Sequence, residues 1–298
     1  TQAVALLSEQ KEQRRSSLYA SASGVVALAL GDNGAAEKHL AEALKLAPDD
    51  LFAHTALLGI YRRSGKWREL VGAIERELEF EASDSEKARL HAELGRISIE
   101  HLKDLPLAEK HLGQATKLSP DDPSLHHLLA QVYDAQKNHA KAIELREKAV
   151  EGFGDSFRAA VLLCEIGEIH ARYLKDDEKA EAAFKEALDR DDEMEAAMEA
   201  LGTLYRRKGR YAELIEIIEQ RLELVDEPEQ QSQLHIDIGE VAERSLRNFD
   251  AALDHYRLGL ELDPTSAVAM DGVERICRRL ERWDALGEAM EPLAADPS

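Results

Sequence analysis

Residues 180–205 read AEAAFKEALDRDDEMEAAMEALGTLY, and this stretch decides the fold. Ala180 and Phe184 lie one helical turn apart, Asp191 and Asp192 mark a helix start, and a second helical pattern runs through Met198, Leu201 and Tyr205. The pattern recurs every 72 residues with no gaps. Ala36, Ala108, Ala180 and Ala252 hold one position, Leu40, Leu112, Phe184 and Tyr256 another, and Tyr61, Tyr133, Tyr205 and Cys277 a third. Self-similarity at a fixed period is the mark of a stacked-repeat architecture, in which each unit buries its apolar face against its neighbours.

Each period holds four helical segments. In residues 51–122 the first runs from Leu51 to Ser64 and ends at Gly65, and the second from Trp67 to about Glu81. Ser83 and Asp84 start a third that reaches about Leu102, Asp104 restarts the chain, and a fourth ends near Leu118, before Pro120. Asp121 and Asp122 are placed to cap the next helix. Connections this short force successive helices to pack antiparallel. No segment alternates β-branched residues with period two, so no strand is expected.

The period divides into two unlike hairpins, and these resemble the tetratricopeptide repeat family. Met198-Glu-Ala-Leu-Gly-Thr-Leu-Tyr205 is similar to the family's first-helix pattern of a large residue, Leu-Gly, then Tyr. Ala180 with Phe184 and Ala252 with Tyr256 are similar to its second-helix pattern, with Leu40 and Leu112 in place of the aromatic in two copies. Pro48, Pro120 and Pro264 stand at the closing proline. The resemblance implies an all-α, right-handed superhelical solenoid of about eight antiparallel hairpins. The repeats are expected at 17–50, 51–87, 88–122, 123–156, 157–194, 195–228, 229–266 and 267–298. Residues 1–16 are expected to be the tail of a preceding repeat helix plus a linker. Trp283, Leu286, Met290 and Leu293 give a final helix an apolar face with no polar cap, so the chain reads as a piece of a longer array.

Hydrophobic residues make up 44% of the 298, enough for a core that grows along one axis. The longest apolar runs, such as Val25 to Leu30, are too short to span a membrane, and Lys11, Arg14 and Arg15 follow rather than precede the apolar part of the N-terminus, the wrong order for a signal peptide. The net charge is −21, with −4 in residues 1–122 and −17 in residues 123–298. Such a surface keeps the chain soluble, repels nucleic acid and would attract a basic partner to the second half. Cys164 and Cys277 fall in different repeats, too far apart for a disulfide, which fits a reducing compartment such as the cytoplasm.

No motif for chemistry emerges. His54, His91, His126 and His235 sit at one packing position per hairpin, spread along the array, so no metal site and no cofactor are expected. The acidic pairs Asp49-Asp50, Asp176-Asp177 and Asp191-Asp192 all lie at helix starts, where carboxylates meet exposed N–H groups. Gly152-Phe-Gly154 lacks a preceding strand, and no Ser or Cys sits in a nucleophile motif, so catalysis is not expected. Trp67, Tyr211 and Trp283, with His139 in the fourth copy, recur at the start of one helix type and read as aromatics packed across a hairpin turn.

The candidate binding residues are basic. Arg62-Arg63, Arg206-Arg207 and Arg278-Arg279 occupy equivalent positions, with Arg275 one turn before the last pair. All three pairs end a helix, where cations also favour the dipole. The resemblance implies that first helices line a groove, so these arginines are expected to grip carboxylates of a protein or peptide partner by two-pronged bonds. The two-carboxylate clamp of chaperone-binding relatives is not expected, because Thr55, Gly59, His127, Gln131, Glu199 and Thr203 stand where its Asn and Lys would be. The function expected is a non-catalytic scaffold for complex assembly. The alternatives are self-association through uncapped ends, or an accessory domain of a larger enzyme such as a kinase.

Overall fold

The computed structural model describes residues 2–154, 156–284, 286 and 287, with 2–10 as helical backbone only. Among the described residues there are fifteen α-helices and no strand. They are α1 (Gln2–Ala29), α2 (Asn33–Leu46), α3 (Leu51–Ser64), α4 (Trp67–Phe80), α5 (Asp84–Ile97), α6 (Leu105–Leu118), α7 (Pro123–Ala135), α8 (His139–Phe153), α9 (Phe157–Ile169), α10 (Asp177–Arg190), α11 (Glu195–Lys208), α12 (Tyr211–Glu223), α13 (Pro228–Val241), α14 (Phe249–Leu262) and α15 (Ala267–Leu280). The chain forms two compact units, residues 1–145 and 146–298.

Within each unit consecutive helices pair as hairpins, and the repeating residues explain how. In the second unit Phe184 of α10 fills the space left by Gly167 of α9: a Cβ there would lie 2.5 Å from the ring. Tyr256 of α14 does the same at Gly239 of α13, where a Cβ would lie 2.9 Å away. In the first unit Leu112 of α6 fits against Gly95 of α5. Ala36, Ala108, Ala180 and Ala252 are fully buried beside these large residues. Small residues let the helices approach, and the large ones fill the holes.

The hairpin turns alternate between two designs. In the tight one a residue in the left-handed region closes the first helix: Gly65, Lys137, Gly209 and Glu281, with φ between 58° and 70°. In the wide one α5, α9 and α13 each end in a five-residue π-helical turn, at Ser98–Leu102, His170–Leu174 and Ala242–Leu246. Lys103, Lys175 and Arg247 then take φ of 54–55°. Asp104 and Asp176 follow them and cap α6 and α10 by accepting from the N–H groups of Leu107 and Lys179.

Four expectations are corrected. Residues 2–29 form one helix rather than a helix tail and linker, because no glycine or proline interrupts residues 2–23. The expected boundary at 87/88 falls inside α5, which begins at Asp84 with Ser83 as its cap, as those two residues signalled. Asp191 bonds the N–H of Glu193 in a turn rather than capping α11, whose N-cap is Met194. The wide turns replace the last α-helical turn expected before Leu102. Of the expected final apolar face, Leu286 packs on the core and Trp283 is 58% exposed, while Met290 and Leu293 lie outside the described residues.

Candidate functional site

In the second unit, the first helices α9 and α11 of successive hairpins leave a groove of about 470 Å3. Phe184 of α10 and Leu204 of α11 supply its apolar floor. Arg172 and Lys175, from the wide turn after α9, and Arg207, at the end of α11, supply three cations, while Glu168 and Glu199 lie along its walls. The wide turn is what brings Arg172 and Lys175 there, and the run of basic residues at the end of α11 also suits the negative end of that helix dipole.

The sequence-derived arginines divide when placed in this frame. Arg207 lines the groove and pairs with Asp177. Arg207 is half exposed and Asp177 partly so, so the pair contributes at most about 1 kcal/mol and is open to exchange with an incoming carboxylate. Arg206, its neighbour, is exposed but not part of the groove lining, and it forms no ion pair among the described residues. Arg275 is committed inside the fold: its guanidinium donates two 2.7 Å bonds to the carboxylate of Glu243. That fork, then the bond from the Tyr256 hydroxyl, holds the Glu243 carboxyl below its usual range against the opposing effect of burial. Arg278 pairs with Glu274 on its own helix, and Arg279 lies over the ring of Phe249, 4.2 Å from its centroid. In the first unit Arg62 pairs with Glu93 of α5, whereas Arg63 is exposed and forms no ion pair among the described residues. The equivalent arginines thus have unlike partners, and of these Arg207 lines the groove between α9 and α11.

Two groove cations, Arg172 and Lys175, were not singled out by sequence, although a signal existed. One period on stand Arg244 and Arg247, also exposed and also at a wide turn.

A second recurring feature is structural. Glu181 accepts from the Tyr205 hydroxyl at 3.2 Å and from Arg210, which also bonds Glu213 at 2.8 Å. One period earlier Glu109 accepts from Tyr133 at 2.9 Å and Gln136 at 2.8 Å. The bonds from Gln136, then Tyr133, hold the Glu109 carboxyl below its usual range. This knot ties the second helix of one hairpin to the first helix and turn of the next at Tyr133 and Tyr205.

Of the histidines read as spread along the array, His91 and His235 each meet a second histidine, whereas His54 bonds Glu77 and His126 the Pro120 carbonyl. His91 and His111 bring their Nδ1 atoms to 3.0 Å across α5 and α6, and His235 and His255 theirs to 3.1 Å across α13 and α14. Burial, aided by Lys110, lowers the pKa of His111 to about 4. No cluster of three or more His, Cys, Asp or Glu able to hold a metal occurs among the described residues. Both cysteines are buried, and burial pushes the Cys164 thiol up to about 12, so neither has the character of a nucleophile. Trp67, expected to pack across its own hairpin turn, stacks on His101 of the wide turn after α5, in the next hairpin, with ring centroids 3.6 Å apart. No described helix is long and apolar enough to cross a membrane.

Hairpins of this geometry, with small-on-large packing at a fixed period, define a helical repeat protein. Three segments, 21–50, 121–193 and 197–232, each match a tetratricopeptide repeat family model, so the chain carries tetratricopeptide repeats. Among solved structures it is similar to the C-terminal part of a repeat-containing protein of this family from Cytophaga hutchinsonii. The two share 16% identity over 84% of this chain and 98% of that one, with a TM-score of 0.54. The protein MamA aligns at 22% identity over 60% of this chain and 93% of its own, with a TM-score of 0.44. YrrB, described as a repeat protein with an unusual peptide-binding site, aligns at 15% identity over 63% and 92%, with a TM-score of 0.42. At these identities the likeness is one of fold. No curated protein matches the chain in sequence.

Proposed function

We propose that the chain is a non-catalytic scaffold that holds an acidic peptide segment of a partner protein in the groove between α9 and α11. The observation that carries this reading is the convergence of Arg172, Lys175 and Arg207 over the apolar floor of Phe184 and Leu204. An apolar side chain of the peptide would rest on that floor while its carboxylates exchange with Asp177 for Arg207. Arginine offers carboxylates a two-pronged fit, so Arg172 and Arg207 set the orientation and Lys175 adds charge.

Fluorescence anisotropy with a labelled peptide of glutamate and leucine tests the reading. The variant Arg172→Glu/Lys175→Glu/Arg207→Glu is expected to weaken binding by about tenfold or more, consistent with the loss of two to three charge-assisted contacts. Unchanged affinity in that variant, with the fold intact by circular dichroism, overturns it.

A further inference from the structure

A second cleft of the same unit lies on the opposite side of α11. Its walls are the second helices α10 and α12, and its volume is about 610 Å3. At 100° per residue, Met198, Leu201 and Tyr205 project from the side of α11 away from Glu199, Thr203 and Arg207, so one helix floors this cleft and borders the first-helix groove. Leu188, Ile217 and Leu224 extend the apolar surface.

The rim is strongly acidic. Asp189, Asp192, Glu193, Glu216 and Glu223 line the cleft and form no ion pair among the described residues. The lining lysine, Lys185, is tied to Glu181 at 2.8 Å, and Glu213 is tied to Arg210. The fold does not require this charge. At the same register one period earlier stand Lys117, Pro120, Asp121, Glu144 and Glu151, and two periods earlier Lys45, Pro48, Asp49, Gly72 and Glu79. Five exposed carboxylates lining one concavity concentrate a negative potential that an incoming cation would offset.

We propose that the cleft between α10 and α12 docks a basic peptide segment of a partner protein, one that sets an apolar side chain between lysines or arginines. The apolar side chain rests on Met198, Ile217 and Leu224, and the cations meet the five unpaired carboxylates. The uneven charge of the chain, −17 of −21 in residues 123–298, steers such a partner toward this unit. The inference is independent of the acidic-peptide reading of the first-helix groove. If both hold, the two sides of α11 carry ligands of opposite charge.

The test uses the whole chain and a labelled amphipathic peptide of lysine and leucine, with a version carrying serine for leucine. Asp189→Lys/Glu216→Lys/Glu223→Lys is expected to weaken the lysine–leucine peptide by about tenfold or more, and the serine version to bind about fivefold more weakly than its parent. Glu178→Lys/Glu229→Lys/Glu261→Lys makes the same change of net charge at exposed sites outside the cleft, and is expected to change affinity by less than about twofold. Arg172→Gln/Lys175→Gln/Arg207→Gln leaves this peptide bound while releasing the acidic one, which separates the two proposals. Equal losses in the two lysine variants, equal binding of the serine version, or no binding by the parent chain each overturn the inference.

Discussion

The cleft between α10 and α12 has a counterpart 144 residues earlier, between α2 and α4; both carry carboxylates, but the earlier one adds an exposed apolar wall. The earlier cleft, of about 410 Å3, is lined by Leu44, Pro48, Leu51 and Phe80 together with Asp49, Asp50, Glu77 and Glu81, and Leu51 is 80% and Phe80 72% exposed. The later one holds Leu188, Asp192, Glu195 just outside its lining and Leu224 at those positions, ringed by carboxylates. Backbone and buried floor repeat: Leu57 and Leu201 are fully buried, as are Tyr61 and Tyr205 nearly so. The repeat therefore specifies a shape, and the residues facing solvent on its second-helix side give that shape a different chemistry in each unit.

The largest effect expected comes from breaking the one floor position where the two clefts differ in polarity. His54 in the first unit bonds Glu77 at 3.0 Å, whereas its equivalent is the buried Met198, and the equivalent of Glu77 is Arg221. Met198→His would bury an imidazole against a guanidinium, costing about 2–3 kcal/mol in urea unfolding. Adding Arg221→Glu is expected to restore about 1 kcal/mol by recreating the pair of the first unit. A cost below about 0.5 kcal/mol for Met198→His would show that the two floors are not equivalent.

The paired histidines sharpen the comparison through pH. His111 has Lys110 beside it, which reinforces the lowering by burial, while Glu75 opposes both and its paired His91 adds to them. His255, at the same position in the second unit, has Asp254 beside it instead, and burial alone lowers its pKa. A histidine with a lowered pKa in the folded state stays neutral while the unfolded chain takes up a proton. Stability is therefore complete above about pH 6.5 and falls as pH drops toward about 4, by on the order of 2 kcal/mol for His111 at pH 5. Thermal unfolding at pH 7 and pH 5 checks this. His111→Asn should flatten the dependence more than His255→Asn, and equal flattening would remove the role given to Lys110.

How much of this was legible in sequence follows from what the period can encode. Helix ends at Ser64, Phe80 and Leu118 fall where Gly65, Glu81 and Pro120 place them, because caps and breakers act locally. The packing of Phe184 and Tyr256 was legible because the size of a side chain must match its hole. The His91–His111 pair was not, since residues 20 apart meet only once the width of the π-helical turn fixes the hairpin register. The partners of the arginine pairs were not legible for the same kind of reason. Recurrence gave Arg62, Arg206 and Arg278 one register, but their partners depend on neighbours that do not recur, such as Glu93 and Glu274. The acidic cleft was hidden because, in sequence, its carboxylates look like any solvated helix face.

A smaller effect tests the polar knot. The Tyr205 hydroxyl donates to Glu181, and Arg210 lies over the ring at 4.6 Å, whereas Tyr61 has no hydrogen-bond partner among the described residues. Tyr205→Phe is expected to cost about 1 kcal/mol and Tyr61→Phe less than about 0.5 kcal/mol, measured by chemical denaturation. The reverse order would mean that the recurring tyrosine is kept for its ring alone.

The smallest effect on stability belongs to the exposed side of the first cleft. Phe80 is mostly in solvent, so Phe80→Ser removes little buried surface and is expected to change stability by less than about 0.5 kcal/mol. Its effect on the surface is larger than its effect on the fold. Leu51, Pro48 and Phe80 form the apolar wall of the first cleft, and the second replaces Pro48 by Asp192 and Leu51 by Glu195. An apolar dye should therefore bind the parent chain at the first cleft, and Phe80→Ser should reduce its fluorescence enhancement, while Leu224→Ser at the equivalent position should leave it unchanged. A matching loss in Leu224→Ser would place the two clefts in one chemical class and undo the contrast between them.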